Sequence, residues 1–233
     1  MFFGLDFSSP IFWSAFGSIL LANIVLSGDN AVVIAMAART LKPEQQTKAI
    51  FWGSAAAIVM RIVLTIVAIQ LLTLPYLKII GAILLVYIGV DLLRGEDDGD
   101  DHGKEINGMM AAIRTILIAD LVMSLDNVLA VAAAAKGNLP LLVLGLLISI
   151  PLIIFGATLL TKVMERFPII ITIGAALLGF LAGEMLLTDP AVTTMFGVIG
   201  EQSVTFAGIL GAVLVVALGT YLQKRTQKVA SEA

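Results

Sequence analysis

Long apolar blocks succeed one another along this chain, and the polar residues gather in the gaps between them. A block of roughly 20 apolar residues spans the ~30 Å hydrocarbon core of a bilayer as a helix. Reading the blocks against proline, glycine and charge predicts helices near residues 11–38, 49–72, 75–94, 109–135, 139–161, 168–188 and 204–222. The gaps hold Lys42-Pro43-Glu44, Leu74-Pro75, an acidic run after Arg94, Gly137-Asn138-Leu139-Pro140, Phe167-Pro168 and Asp189-Pro190. Each carries a residue that stops or bends a helix. The pattern therefore predicts an all-α polytopic membrane protein of about seven transmembrane helices. The first block lacks a basic start and is too long for a signal core, so it is read as a retained helix.

Composition agrees. Hydrophobic residues make up 59% and charged residues 13%, against about 25% charged in soluble domains, and the mean hydropathy is +1.04. A net charge of −3 offers no basic footprint for nucleic acid. There is no cysteine, which excludes thiolate metal sites and disulfides, and the single histidine, His102, lies in the acidic gap. The nine methionines form no cluster and read as core filler. No serine, histidine or metal-ligand arrangement for hydrolysis falls within the spans, so an enzyme is not expected.

Lysine and arginine orient the chain. Eleven of the fourteen follow the first, third, fifth and seventh blocks: Arg39, Lys42, Lys48, Arg94, Lys104, Arg114, Lys162, Arg166, Lys224, Arg225 and Lys228. Lys78 and Lys136 lie toward the other face, and Arg61 falls inside the second span. The positive-inside rule then puts the N-terminus outside and the C-terminus in the cytoplasm of a plasma (inner) membrane protein.

The chain also repeats itself. Ser27-Gly28-Asp29-Asn30 aligns with Ser124-Leu125-Asp126-Asn127, and the same offset pairs Asn23 with Asp120 and Ala35 with Ala132. Further on, Pro75, Ile80-Gly81-Ala82, Leu84-Leu85, Asp91 and Leu93 align with Pro168, Ile173-Gly174-Ala175, Leu177-Leu178, Glu184 and Leu186. Each copy holds three helices, and an odd number of crossings inverts the second relative to the first. The expected organisation is a first repeat over 1–94, an acidic cytoplasmic linker over 95–108, an inverted second repeat over 109–188, and a loop, extra helix and basic tail over 189–233. The run Glu96 to Glu105 fails the calcium-loop pattern and reads as a solvated connector. Inverted repeats are a recurring plan of secondary transporters, with ions bound near the midplane, often at broken helices.

The candidate chemistry lies at that midplane. Asp29, Asp120 and Asp126 fall well inside their spans, and a charged aspartate near a helix centre costs about 2.5 to 3.5 kcal/mol on insertion scales. Arg61 is a candidate counter-ion, but one arginine cannot balance three carboxylates, so the remaining charge is expected to serve a cation or protons. Asn23, Ser27 and Asn30 share one helix face, as do Asp120, Ser124 and Asn127. Asp29 lies one residue off the first stripe, where a helix loosened at Gly28 would bring it into line. Asp29, Asn30, Asp126, Asn127, Asn23 and Asp120 are thus the candidate metal ligands, with Ser27, Gly28, Ser124 and Arg61 in support. Such oxygen ligands without sulfur suit Mn²⁺, Mg²⁺ or Ca²⁺. Asp91 and Glu184, nearer helix ends, are candidates for a gate or proton relay.

At these residues the sequence resembles the TerC family of integral membrane proteins, in its YjbE-type branch, grouped with the LysE-like exporters. The resemblance runs through nearly the whole chain and is carried by Leu26-Ser27-Gly28-Asp29-Asn30-Ala31 and by Asp120 to Val128. It implies manganese efflux, tellurite resistance in the naming branch, or supply of manganese to exported metalloenzymes. It is this resemblance that turns a hard divalent cation into Mn²⁺.

No Walker A pattern occurs, so an ion gradient is the expected energy source and the cation is a substrate rather than a bound cofactor. Two rivals have distinct signatures. A LysE-like exporter of a small cationic organic solute would be inhibited by amino acids and indifferent to metals. A membrane scaffold supplying metal to exported proteins would tolerate asparagine at Asp29 and Asp126. Metal cation and lipid bilayer are the expected partners; the pattern is silent on a homo-oligomer or another membrane partner.

Overall fold

The computed structural model describes residues 12–14, 16–18, 20, 21, 28–95, 104–134 and 139–232, with side chains described at these except 68–70, 72, 104–107, 126–134, 139, 141, 142 and 227–232. All regular structure among them is helical. Short helical pieces at 12–14, 16–18 and 20–21 precede α1 (Gly28–Ala38), α2 (Pro43–Leu72), α3 (Leu77–Arg94), α4 (Lys104–Ala134), α5 (Leu139–Arg166), α6 (Ile169–Leu187), α7 (Pro190–Phe196) and α8 (Glu201–Glu232). The acidic run 96–103 lies outside the described residues.

Five helices are long and apolar enough to cross a membrane, over Pro43–Val67, Gly108–Leu125, Val143–Arg166, Ile169–Leu187 and Glu201–Thr226. They coincide with five of the seven expected spans. The third span is the 18-residue α3, which carries Lys78, Asp91 and Arg94; the first lies partly outside the described residues. Several helices outrun their apolar blocks. α2 begins at Pro43, whose missing N–H costs nothing in a first turn, and α5 and α8 continue through Lys162–Arg166 and past Lys224, because lysine, arginine and glutamine are good helix formers once water is reached. Pro151 sits within α5 without ending it, as membrane helices tolerate.

α1 is the axle. From Asn30 to Ala38 only Val32 is not buried, and a helix apolar all round belongs in an interior. It is covered by Ile50, Ile58, Ile116, Leu146 and Ile153 on one side, and by Leu85, Val122, Leu178 and Met185 on another. The outward faces of α2, α3, α5 and α8 instead carry exposed Val63, Ile66, Ile83, Tyr87, Phe155, Leu159, Phe206 and Val213. Exposed apolar surface on every side, with backbone polar groups satisfied within helices, suits a lipid solvent.

The neighbours follow a partial rule. α2 packs on α4 and α5 on α1; α3 packs on α4 and α6 on α1; α3 meets α6, α2 meets α5 and α1 meets α4. Exchanging α1 with α4, α2 with α5 and α3 with α6 interchanges the first two pairings, interchanges the next two and returns the last three to themselves, whereas the smaller contacts of α1 with α2 and of α5 with α6 have no counterpart of similar extent. α8 stands apart from the rule and packs on α6 and α3. Its seam with α6 is a backbone contact: a Cβ at Gly183 would collide with the Ala207 carbonyl, and one at Gly179 with the Gly211 carbonyl. Small residues at helical spacing permit that approach, as in other membrane helix pairs.

The seven-residue α7 is an element that the apolar blocks do not announce. Its N-cap, Asp189, is buried and accepts the Ala191 N–H at 2.7 Å. The same carboxylate accepts N–H groups of Tyr76 at 2.9 Å, Lys78 at 3.0 Å and Ile79 at 3.3 Å, at the start of α3. Asp189 therefore caps two helices, and Tyr76 takes a left-handed φ of 68° to present those donors. Burial raises its pKa, but the four backbone N–H groups outweigh that and hold the carboxyl below its ordinary value.

A candidate intramembrane cation site

α2 and α4 bring together three interior polar residues. Arg61 is 2% exposed, Asp120 5% and Ser124 0%. The guanidinium forms an ion pair with Asp120 Oδ1 through Nη2 and donates from Nε to Ser124 Oγ at 3.0 Å. The serine hydroxyl in turn donates to Asp120 Oδ2 at 3.3 Å. Asp120 and Ser124 lie one turn apart on α4, so both face α2. The triangle is closed: each carboxylate oxygen has a donor, and the serine both accepts and donates. A buried ion pair offsets its desolvation only when such additional bonds are made.

Asp29 stands in the first turn of α1. Its Oδ1 accepts the Asn30 N–H at 2.8 Å, and its carboxylate lies within electrostatic range of both Arg61 and Asp120. No ion pair to Asp29 occurs among the described residues. Asn30 is buried at its side. Asn23 and Ser27 lie outside the described residues, as do the side chains of Asp126 and Asn127, whose backbone continues α4. Gly28 opens α1 with no atom of the described residues within 4 Å of a Cβ placed there. Among the described residues no group of three or more histidine, cysteine or acidic side chains is gathered at one point. The described part of the constellation is therefore a saturated pair, Arg61 and Asp120, with one further carboxylate, Asp29, in range of it.

Two features escape the sequence pattern. Ser54, on the same face of α2 as Arg61 and about two turns away, is buried with no partner for its hydroxyl among the described residues. Asp189 is the second; Asp-Pro ahead of a short apolar segment is an N-cap signal, which reads from sequence only as a break. Asp91, in the last turn of α3, lines a small cavity with residues of α1 and α4. Glu184 holds the aligned place near the end of α6, where its carbonyl accepts the Thr188 N–H at 3.1 Å.

The model of the integral membrane protein TerC family matches residues 8–227. The chain belongs to the TerC family. Within it, the chain is 42% identical over 202 residues to the Bacillus subtilis membrane protein YjbE, covering 87% of this chain and 92% of that one. It is 24% identical over 229 residues to YceF of the same organism, covering 94% and 86%. The Escherichia coli UPF0053 inner membrane protein YoaE is 25% identical over 183 residues, or 70% of this TerC chain and 35% of that longer one. No solved structure matches.

Proposed function

We propose that this protein is a secondary transporter, not an enzyme, that exports a hard divalent cation, Mn²⁺ above others, in exchange for entering protons. The observation that carries the reading is the charge balance around α1. Arg61 is committed to Asp120, so Asp29, partly buried at the start of α1, has no cation of its own among the described residues and is free to take up a cation or a proton. Asp126, its aligned residue in α4, adds the second carboxylate of a hard-oxygen site with Asn30, Asn127 and Asn23. The choice of Mn²⁺ rests on the family, whose members the motifs resemble.

The organisation is two inverted three-helix repeats, 1–94 and 109–188, joined by the acidic linker and followed by α8 as an extra element. The partial exchange symmetry of the pairings among α1–α6 supports it, as does the aligned pair of S-x-D-N motifs. The positive-inside distribution of lysine and arginine supports an outside N-terminus and cytoplasmic C-terminus, and the inner-membrane relative supports that membrane. Moving a divalent cation outward against an inside-negative potential costs about 4.6 kcal/mol per 100 mV. Two entering protons cancel that charge, so alternate protonation and metal loading of Asp29 and Asp126 suffices as a cycle.

The test is transport in proteoliposomes with the cytoplasmic side outward and a metal-sensitive dye inside. Wild type should take up Mn²⁺ under an imposed pH gradient, and folded Asp29→Asn and Asp126→Asn variants should not. Normal uptake by both variants, or none by wild type, overturns the proposal.

A further inference from the structure

At the end of the molecule where α1 and α3 terminate, a cavity of ≈ 40 Å³ is lined by Met36 and Thr40, by Asp91 and Gly95, and by Gly108 and Thr115 of α4. A water needs roughly 10–15 Å³ by the same measure, so the space suits one cation with one or two waters. No hydrogen bond or ion pair engages the Asp91 carboxylate, the Thr40 hydroxyl or the Thr115 hydroxyl among the described residues. Arg39, whose Nη2 lies beside Gly95, makes no ion pair with the carboxylate among the described residues: its Nη2 donates to the Leu92 carbonyl at 2.9 Å, and its Nε is buried without a described partner. Two helix C-termini converge here, α1 at Ala38 and α3 at Arg94, and their carbonyl ends favour positive charge. Along α4, Thr115 lies five residues before Asp120, roughly 8 Å at 1.5 Å per residue.

We infer that Asp91, Thr40 and Thr115 form a second cation site, a waiting position on the cytoplasmic side from which a partly dehydrated divalent cation passes to the intramembrane carboxylates. One carboxylate and two hydroxyls with retained water make a weak, hard-oxygen site, which suits a position that must fill and empty. This rests on the transport reading for its role, but the site itself can be measured apart from transport.

Two experiments on the full chain decide it. In the vesicle assay, Asp91→Asn should raise the half-saturating Mn²⁺ concentration on the cytoplasmic side roughly tenfold or more while keeping the maximal rate; Thr115→Val should shift it in the same direction by less. In detergent, the electron-spin resonance signal of free Mn²⁺ should report a bound class in Asp29→Asn that disappears in Asp29→Asn/Asp91→Asn. If Asp91→Asn transports like wild type and the bound class of Asp29→Asn persists in Asp29→Asn/Asp91→Asn, while Asp29→Asn is inactive, the waiting site is wrong and the transport reading stands. Loss of maximal rate in Asp91→Asn, equal to that in Asp29→Asn, also overturns it, because Asp91 is then part of the translocating site. If wild type carries no divalent cation, the transport reading falls, and the site falls with it unless the Asp91-dependent bound class is present.

Discussion

Arg61 of α2 and Asp120 of α4 neutralise one another in the interior, and Ser124 links them a second time. Breaking such a pair from one side leaves a buried charge alone, which typically costs 3–5 kcal/mol, about the cost expected of Asp120→Asn. Replacing both, as in Arg61→Met/Asp120→Leu, should recover most of that loss. Thermal stability of the purified protein in detergent checks both; equal losses in the single and double variants would contradict the pairing.

Ser124→Ala removes the group that accepts from Arg61 and donates to Asp120. We expect a smaller loss, about 1–3 kcal/mol, that vanishes when Arg61 and Asp120 are already replaced. A double-mutant cycle on the same melting assay measures this directly.

Asp189 makes a pH prediction. Its folded pKa lies below the ordinary value, so its contribution is fully present above the unfolded pKa of about 3.9 and is lost as pH falls through the folded value. The stability gap between wild type and Asp189→Asn should be constant from pH 7 to 5 and close below about pH 4. Asp189→Ala should cost roughly 1–3 kcal/mol at neutral pH, since two helix starts lose one acceptor. Melting curves across pH test the sign.

The α6–α8 seam admits no Cβ at Gly179 or Gly183. Gly183→Ala would drive a methyl into the Ala207 carbonyl, and overpacking of this kind costs about 1–3 kcal/mol. Gly28→Ala meets no atom of the described residues within 4 Å, so its folded yield should match wild type. Side-by-side melting of the two variants separates packing from composition.

Topology can be tested without background, since the chain has no cysteine. Val198→Cys is expected to react with a membrane-impermeant maleimide on intact cells, and Lys162→Cys only after permeabilisation. The reverse pattern would invert the proposed orientation and move the Asp91 cavity to the outer face.

How much of this could be read beforehand depends on the physical signal. Long apolar blocks locate helices because the bilayer demands about 20 residues of them, and that signal is strong at α6 and α8. It weakens at the ends, where Lys162–Arg166 and Pro43–Lys48 stay helical although polar. α7 is too short for any periodicity to mark. The stripes of Asn30 and of Asp120 with Ser124 fix a face within each helix, but not the rotation of one helix against another. Hence Arg61 is recognisable as a counter-ion, whereas its choice of Asp120 over Asp29 requires three dimensions. Thr40 and Thr115 carry no signal at all, because threonine is ordinary at such positions; only the cavity distinguishes them.

The double cap at Asp189 has a consequence for biosynthesis. The donors at Tyr76 and Lys78 precede their acceptor by 113 and 111 positions, so a ribosome adding roughly 5–20 residues per second delivers it about 5–20 s after α3 has emerged. Until then water must serve the first turn of α3. The fastening of that turn is a late event of assembly, and a chain truncated before Asp189 would leave α3 in the membrane with its first turn unlatched.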